Sequence, residues 1–157
     1  MAENVWILGI TMTKFGKHPD SDVIDLAAEA AMGALADGGV TMKDMGILAA
    51  GNLMGAGAPI GQMLQKQIGQ TGIPVFNVSN ACATGATALR TAIMAIKAGE
   101  CDMGLAVGVE KLSGAGLLGA GGLGTEVDHV LVRVLPELRH VDAEDPDVIG
   151  RGHVRSP

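Results

Sequence analysis

Aromatic residues are almost absent from this chain of 157 residues, which holds one Trp, two Phe and no Tyr. A surface that binds nucleic acid by base stacking needs exposed rings and positive charge, whereas the formal net charge here is −6. We therefore expect no nucleic-acid partner, and the same negative charge disfavours an anionic membrane surface. Because 48% of the residues are hydrophobic, Ala, Val, Leu, Ile and Met must build the core. This composition favours helices packed closely on a parallel sheet.

Cysteine is also scarce, and long apolar runs are missing. Two cysteines, Cys82 and Cys101, are too few for a disulfide framework. No run of about 18 apolar residues could span a bilayer, and no basic-then-apolar leader precedes a small-residue cleavage site. No Cys/His cluster has the spacing of a metal site. We therefore expect a cytoplasmic protein with no membrane span and no metal, in which free thiols are open to chemistry.

Apolar runs and helical patterns alternate along the first part of the chain. Apolar runs predict strands at 5–10, 47–53, 73–78 and 101–109. Helical spacing predicts one helix from about Val23 to the Gly38–Gly39 pair, and two more at 62–70 and 83–97. This order implies parallel strands joined by crossover helices. The predicted fold class is α/β, with a mixed, mainly parallel sheet and crossover helices on its faces.

Residue usage changes at Gly124 and predicts three segments: a domain at 1–113, a Gly-rich loop at 114–124, and a divergent tail at 125–157. The chain before residue 125 has six Lys and one Arg, whereas the tail has four Arg and no Lys. Alternation at Val130, Val132 and Val134 is compatible with one strand between 127 and 135. We expect the tail to reflect truncation or a shifted reading frame; a genuine divergent extension is the alternative.

Cys82 lies where the strand VFNVSN meets an Ala-rich helix. Unpaired backbone N–H groups and the positive end of the helix dipole stabilise negative charge at such a position, which favours a thiolate nucleophile. From position alone, a buried structural cysteine is an equal alternative, and that is the role we predict for Cys101. Four small residues around Cys82 would let a substrate approach the sulfur: Ala81, Ala83, Thr84 and Gly85.

The segment VFNVSNACATGATALRTAIMAIKAGECDMGLAVGVEKLS resembles the thiolase superfamily around its nucleophile, especially the lipid-transfer or sterol-carrier-type branch. The opening VWILGITMTKFGK and the stretch AAGNLMGAG are similar to that branch as well, so the resemblance covers about residues 4–122. It implies the N-terminal half of a thiolase-like fold. It also implies acyl transfer on coenzyme A thioesters, of the 3-oxoacyl-CoA thiolase or acetyl-CoA acetyltransferase type, with Cys82 as the acyl carrier.

The same resemblance implies the remaining site residues and the partners. Asn80, Ala83 and Gly85 would shape the turn around the nucleophile, and a loop with Gly114 and Gly116 would border the acyl-CoA pocket. Coenzyme A thioester would be the substrate, with no bound cofactor. The strand around 75–79 would lie near a dimer interface, so we expect a homodimer or a complementing thiolase-like subunit.

The chain also departs from the family pattern. Members of the family are much longer and have two similar halves, the second of which supplies a Gly-His-Pro histidine, an oxyanion hole and a second acid/base group. None of these can be assigned here, because His129, His140 and His153 lie in DHV, RHV and GHV. His18, in KHP, is predicted to be a solvated loop residue. Two hypotheses follow: an acyltransferase that is incomplete in this chain, and a non-catalytic fragment or partner subunit.

A third hypothesis comes from the glycines of the 114–124 loop. Gly114-x-Gly116-x-x-Gly119 matches a dinucleotide-binding fingerprint and follows a predicted strand. No helical pattern follows it, and glycine is so frequent in this stretch that a chance match is expected. Dinucleotide binding is therefore kept only as an alternative to be tested.

Overall fold

The protein is described from a computed structural model, which covers residues 4–16, 18–53, 58–111 and 131–136. In these ranges the strands are β1 (Val5–Thr11), β2 (Ile47–Gly51), β3 (Val75–Val78), β4 (Gly104–Gly108) and β5 (Leu131–Pro136). The α-helices are α1 (Val23–Asp37), α2 (Ile60–Ile68) and α3 (Thr84–Lys97), and a short 3₁₀ turn occupies Met42–Asp44. The strands and helices predicted for the first 113 residues are all present, with ends that shift by no more than three residues.

The five strands form one mixed sheet in the order β1-β5-β4-β2-β3. Strand β2 pairs in parallel with β3 and with β4, whereas β5 runs antiparallel to both β1 and β4. Strands β1 to β4 therefore share one direction, and the predicted α/β class with a mixed, mainly parallel sheet is confirmed. Because parallel strands end together, the residues that follow β1, β2, β3 and β4 meet at one edge of the sheet, called here the carboxyl edge.

Strand β5 comes from the segment predicted as a divergent tail. Its backbone pairs with β1 on one side and β4 on the other, so six residues of that segment lie inside the sheet. The predicted strand between 127 and 135 is present, displaced toward Pro136. The division at residue 124 itself stays a prediction, because residues 112–130 and 137–157 lie outside the described part of the chain.

The helices cover the sheet on both faces. On one face α1 and α2 pack against Leu48, Leu105 and Val107, and on the other face α3 packs against Ile47, Ala49 and Ala106. Successive strand residues point to opposite faces, so β2 and β4 serve both layers and are buried along their whole length. The expected aliphatic, Ala-rich core is thus present. Small residues on α3 let this helix approach the sheet closely: Ala88, Ala92 and Ala95.

Helix α1 begins at a capping box that also ties it to its neighbour. The Asp22 carboxylate accepts hydrogen bonds from the amides of Ile24 (2.7 Å) and Asp25 (2.8 Å), and the Asp25 carboxylate accepts one from the Asp22 amide (3.0 Å). The Gln67 side chain on α2 donates to Asp25 at 3.1 Å. The hydrogen bond from the Asp22 amide, followed by that from Gln67, lowers the pKa of the Asp25 carboxyl.

The two outer strands leave large apolar side chains in solvent. On β1, Trp6 and Ile10 are 54% and 57% exposed, and on β3 Phe76 is 46% exposed. Their outer backbone edges are not paired with any described strand. In the described ranges, no helix is long and apolar enough to cross a membrane.

Candidate active site

The Cys82 thiol is exposed at the carboxyl edge of the sheet, four residues after β3 ends and two before α3 begins. The residue before it, Ala81, has a φ of +46° and is the one non-glycine with positive φ in the described ranges. Residues with a Cβ seldom adopt this backbone, which costs on the order of 1–3 kcal/mol and persists where neighbouring groups enforce it. The turn that presents Cys82 is therefore held in a conformation that its own sequence does not favour.

Thr84 is the residue that enforces this conformation. Its hydroxyl accepts a hydrogen bond from the Asn80 amide at 2.7 Å and donates one to the Ala81 carbonyl at 2.7 Å. The Thr84 amide also donates to the Ala81 carbonyl, at 3.2 Å. The expectation that Thr84 lets a substrate approach the sulfur stays a prediction. Its side chain is 6% exposed, so it packs in the interior beneath the turn.

Asn80 and Ala83 also make hydrogen bonds within the turn. The Asn80 side-chain amide donates to the Thr87 hydroxyl at 3.0 Å, and that hydroxyl donates to the Ala83 carbonyl at 3.0 Å. The Ala83 amide donates to the Asn80 carbonyl at 2.9 Å. Among the described residues, no side chain supplies an N-cap hydrogen bond to α3. Unpaired N–H groups at the beginning of a helix can stabilise negative charge, and α3 begins beside the sulfur.

Two glycines near the turn differ in what they permit. A Cβ on Gly51, at the end of β2, would lie 2.7 Å from the Thr84 Cγ2 and 2.8 Å from the Thr84 carbonyl oxygen. A Cβ on Gly85 would meet nothing nearer than the Gly108 Cα at 3.8 Å. Gly51 is therefore needed for Thr84 to pack against β2, whereas packing does not explain the glycine at 85. That Gly85 lets a substrate approach the Cys82 sulfur stays a prediction.

Side chains continue the connection between β2 and β4 beyond the end of the backbone ladder. The Asn52 side chain is buried and donates to the Val109 carbonyl at 2.7 Å. The Glu110 carboxylate accepts from the Leu53 amide at 2.8 Å and from the Asn52 side chain at 3.4 Å. The backbone amide of Asn52 donates to the Val78 carbonyl, at the end of β3, at 3.2 Å. Sequence reasoning missed Asn52 and Glu110, although both lie in stretches that carried the family resemblance.

Lys111 anchors a different loop at the same edge. Its ammonium group donates to the backbone carbonyls of His18 (2.7 Å) and Ser21, in the loop before α1. His18 is partly exposed in this loop, and its Nε2 donates to the Lys14 carbonyl at 2.8 Å. The ring is thus engaged in holding the loop.

Cys101 lies at the opposite edge, before β4, and has the packing expected of a structural residue. It is half-buried and contacts the core residues under α3. Its Cβ lies so close to Gly46 that a Cβ on that glycine would be 2.4 Å away. Burial, followed by the nearby Glu100 and Asp102 carboxylates, raises the pKa of the Cys101 thiol.

Several predicted residues lie outside the described part of the chain: Gly114, Gly116, His129, His140 and His153. The pocket-lining role of the two glycines and the dinucleotide alternative therefore stay predictions. In the ranges that are described, no group of three or more His, Cys, Asp or Glu residues could hold a metal ion.

Comparison with known proteins places these observations in a family. The sequence model "Thiolase, N-terminal domain" matches residues 5–122. An acetyl-CoA acetyltransferase of Methanothermobacter thermautotrophicus is 39% identical over 115 residues, which cover 70% of this chain and 30% of that protein. Sterol carrier protein 2 of Homo sapiens is 36% identical over 141 residues, which cover 88% of this chain and 24% of that protein.

The fold is found in solved structures as well. The 3-oxoacyl-[acyl-carrier-protein] synthase III of Aquifex aeolicus superimposes with a TM-score of 0.70 at 20% identity, covering 88% of this chain and 55% of that one. At this identity the likeness shows the fold alone.

The match spans 24–30% of the length of these two curated relatives. The match to sterol carrier protein 2 covers 88% of the chain, so it necessarily continues past residue 124. The N-terminal domain model covers well over half of the chain, including the turn around Cys82. The chain belongs to the thiolase family and carries its N-terminal domain.

Proposed function

We propose that this chain is the nucleophile-bearing part of a coenzyme A-dependent acyltransferase of the thiolase type, with Cys82 as the acyl carrier. One observation carries the proposal: an exposed thiol lies at the beginning of α3, presented by a strained Ala81 that the buried Thr84 hydroxyl holds in place. The similar protein from Methanothermobacter, named an acetyl-CoA acetyltransferase, supports the substrate class.

The chemistry follows from nucleophilic catalysis. The Cys82 thiolate attacks the carbonyl carbon of an acyl-CoA thioester, and a new thioester forms as the bond between that carbon and the coenzyme A sulfur breaks. Coenzyme A leaves as a thiolate and takes up a proton. Negative charge develops on the carbonyl oxygen during attack, and backbone N–H groups at the beginning of α3 are suited to stabilise it.

The proposal also gives roles to the residues around Cys82. Asn80 and Ala83 keep the turn in shape, Gly85 leaves space beside the sulfur, and Gly114 and Gly116 border the acyl-CoA pocket. A base for the second half-reaction, whether condensation or thiolysis of a 3-oxoacyl chain, would come from a segment corresponding to the rest of a thiolase. The resemblance to sterol carrier protein 2 makes the coenzyme A thioester of a sterol side chain a substrate to test beside acetyl-CoA.

Acylation of the purified chain tests the proposal. The chain is incubated with acetyl-CoA or a longer acyl-CoA, and intact-mass and peptide analysis locate any acyl adduct. The expected result is one acyl group on Cys82 of the native chain and none on Cys82→Ala. Cys101→Ala is the matched control and should be acylated like the native chain. Acyl groups on Cys101 or on lysines alone would contradict the proposal.

A second candidate function is that of a non-catalytic fragment or partner subunit. It is supported by the exposed apolar side chains on both outer strands, which a second polypeptide would cover. In that case Cys82 would be acylated only after a second thiolase-like polypeptide, or a second copy of this chain, completes the site. Size-exclusion chromatography combined with the acylation assay, with and without such a polypeptide, separates the two candidates.

A further inference from the structure

Glu110 lies just beyond β4, and its contacts reach the nucleophile turn through the end of β2. The last backbone hydrogen bond between β2 and β4 runs from the Val109 amide to the Gly51 carbonyl and measures 2.8 Å. Beyond it, the Glu110 carboxylate accepts a hydrogen bond from the Leu53 amide at 2.8 Å. The carboxylate therefore extends the connection between β2 and β4 by two residues. It fixes the position at which the chain leaves β2.

The end of β2 supports the turn on two sides. Gly51 packs directly against Thr84, whose hydroxyl holds Ala81 in its positive-φ conformation. The Asn52 amide donates to the Val78 carbonyl, where β3 ends before the turn. A shift of 51–53 therefore moves both supports of Cys82 at once.

We propose that Glu110 is a positioning residue for the acyl-transfer site: it sets the Cys82 turn by fixing Leu53 and Asn52 at the end of β2. The consequence for acyl transfer rests on the proposed function, whereas the mechanical link to the turn does not. A carboxylate suits this task because it accepts two hydrogen bonds at once, and charge-assisted bonds to an amide are stronger than neutral ones. Without it, the Leu53 amide loses its acceptor, and the chain after Gly51 is held only by the hydrogen bonds of Asn52 to the Val109 and Val78 carbonyls.

Three variants test the proposal: Glu110→Ala, Glu110→Gln and the control Glu100→Ala. Gln keeps one oxygen that can accept from the Leu53 amide, so it should rescue most of the loss. Glu100 is exposed and lies at the opposite edge of the sheet. Each variant is compared with the native chain in three measurements: the rate of acylation by acetyl-CoA, the rate of alkylation of Cys82 by iodoacetamide, and amide hydrogen exchange of the peptides that contain Leu53 and Ala81.

In Glu110→Ala we expect acylation to slow by about ten- to a hundredfold, since misplacement by about an ångström has effects of this size. Alkylation by the small reagent should stay within about twofold of native, because it reports thiolate chemistry rather than positioning. Exchange at Leu53 and in the turn should rise by about tenfold in Glu110→Ala. Glu110→Gln should lie close to native, and Glu100→Ala should match native in all three measurements.

Two outcomes overturn the proposal. Exchange in the turn that is unchanged in Glu110→Ala would show that the carboxylate does not set the turn, and this measurement decides even if the native chain is not acylated. A parallel fall of acylation and alkylation, with no rescue by Glu110→Gln, would show a general structural role instead. Failure of the native chain to acylate, with exchange altered as expected, counts against the proposed function and leaves the link to the turn supported.

Discussion

The two cysteines lie at opposite edges of the same sheet and have opposite surroundings. Cys82 follows β3 at the carboxyl edge, where α3 begins and its thiol is exposed. Cys101 precedes β4 at the opposite edge, where the parallel strands begin, called here the amino edge. It is half-buried against Gly46 and lies between two acidic neighbours. The same side chain is thus presented to solvent at one edge and packed into the structure at the other.

This difference follows from the topology of a parallel sheet. Helix N-termini and the loops after strands gather at the carboxyl edge, where backbone N–H groups can meet a ligand. At the amino edge the chain enters the strands from helix C-termini, whose partial negative charge does not favour a thiolate. We expect the packing at each edge to determine the reactivity of the cysteine that lies there.

Gly51→Ala should damage the carboxyl edge most. Its Cβ would clash with Thr84, including the backbone carbonyl at 2.8 Å, so we expect a loss of about 3 kcal/mol in the free energy of unfolding. Acylation of Cys82 should fall as the turn moves, while alkylation of Cys101 stays as in the native chain. Gly46→Ala is the matched change at the amino edge and should instead expose Cys101. Urea unfolding and peptide-mapped alkylation measure both, and equal effects of the two variants on both cysteines would contradict separate control.

Thr84→Val should lower the free energy of unfolding by about 1 kcal/mol, because it removes the hydroxyl partner of the Asn80 amide and the Ala81 carbonyl from two partly buried hydrogen bonds. Acylation of Cys82 should slow as Ala81 relaxes out of its positive-φ conformation. Thr84→Ser keeps the hydroxyl and is the control, with a smaller loss from the missing methyl group. Thermal or urea unfolding gives the free energies of unfolding. A Val variant as stable as the Ser variant would show that the hydroxyl does not stabilise the turn.

Iodoacetamide should modify Cys82 about tenfold faster than Cys101 at neutral pH, since alkylation follows exposure and thiolate fraction. Burial, together with Glu100 and Asp102, raises the pKa of Cys101. A raised pKa keeps this thiol protonated to higher pH, so its alkylation should increase only when the pH passes above the range of an ordinary thiol. Glu100→Gln removes one acidic neighbour and should move the Cys101 profile to lower pH. Identical pH profiles for the two cysteines would contradict this prediction.

Gly85→Ala should change little. The added Cβ meets only ordinary van der Waals distances, and Ala is favoured over Gly in a helix by up to about 1 kcal/mol. We therefore expect the free energy of unfolding to stay equal or rise slightly, as measured by urea unfolding. If acylation nevertheless falls, Gly85 contributes space for the substrate rather than stability, as the sequence interpretation holds. A clear loss of stability would show a packing role that the structure does not indicate.

The strands, the helices and the strand-to-helix turn at Cys82 could be predicted because their signals are local. Apolar runs mark the buried strands, and Cys82 stands at a strand-to-helix turn that is visible in the sequence. The position of β5 could not be predicted in this way, because its place between β1 and β4 depends on pairing with residues more than a hundred positions away and about 25 positions away, respectively.

The supports of the site were missed for the same reason. Thr84 looks like a small open residue in ACATG, and its burial depends on Gly51, far back in the chain. Glu110 and Asn52 form a hydrogen bond although they are 58 positions apart in the sequence, and no local sequence pattern predicts such a pair. Hydrogen bonds between distant side chains become visible only when the sheet brings their strands together.

Protection of Cys82 by substrate tests the central claim most directly. The native chain is incubated with acetyl-CoA, then alkylated with iodoacetamide, and both cysteine-containing peptides are quantified. An acyl group on Cys82 blocks its alkylation, and hydroxylamine, which cleaves thioesters, should restore it. We predict protection of Cys82 that grows with acetyl-CoA concentration, while alkylation of Cys101 is unchanged. Equal alkylation of Cys82 with and without acetyl-CoA, or equal protection of both cysteines, would contradict the assignment of Cys82 as the acyl carrier.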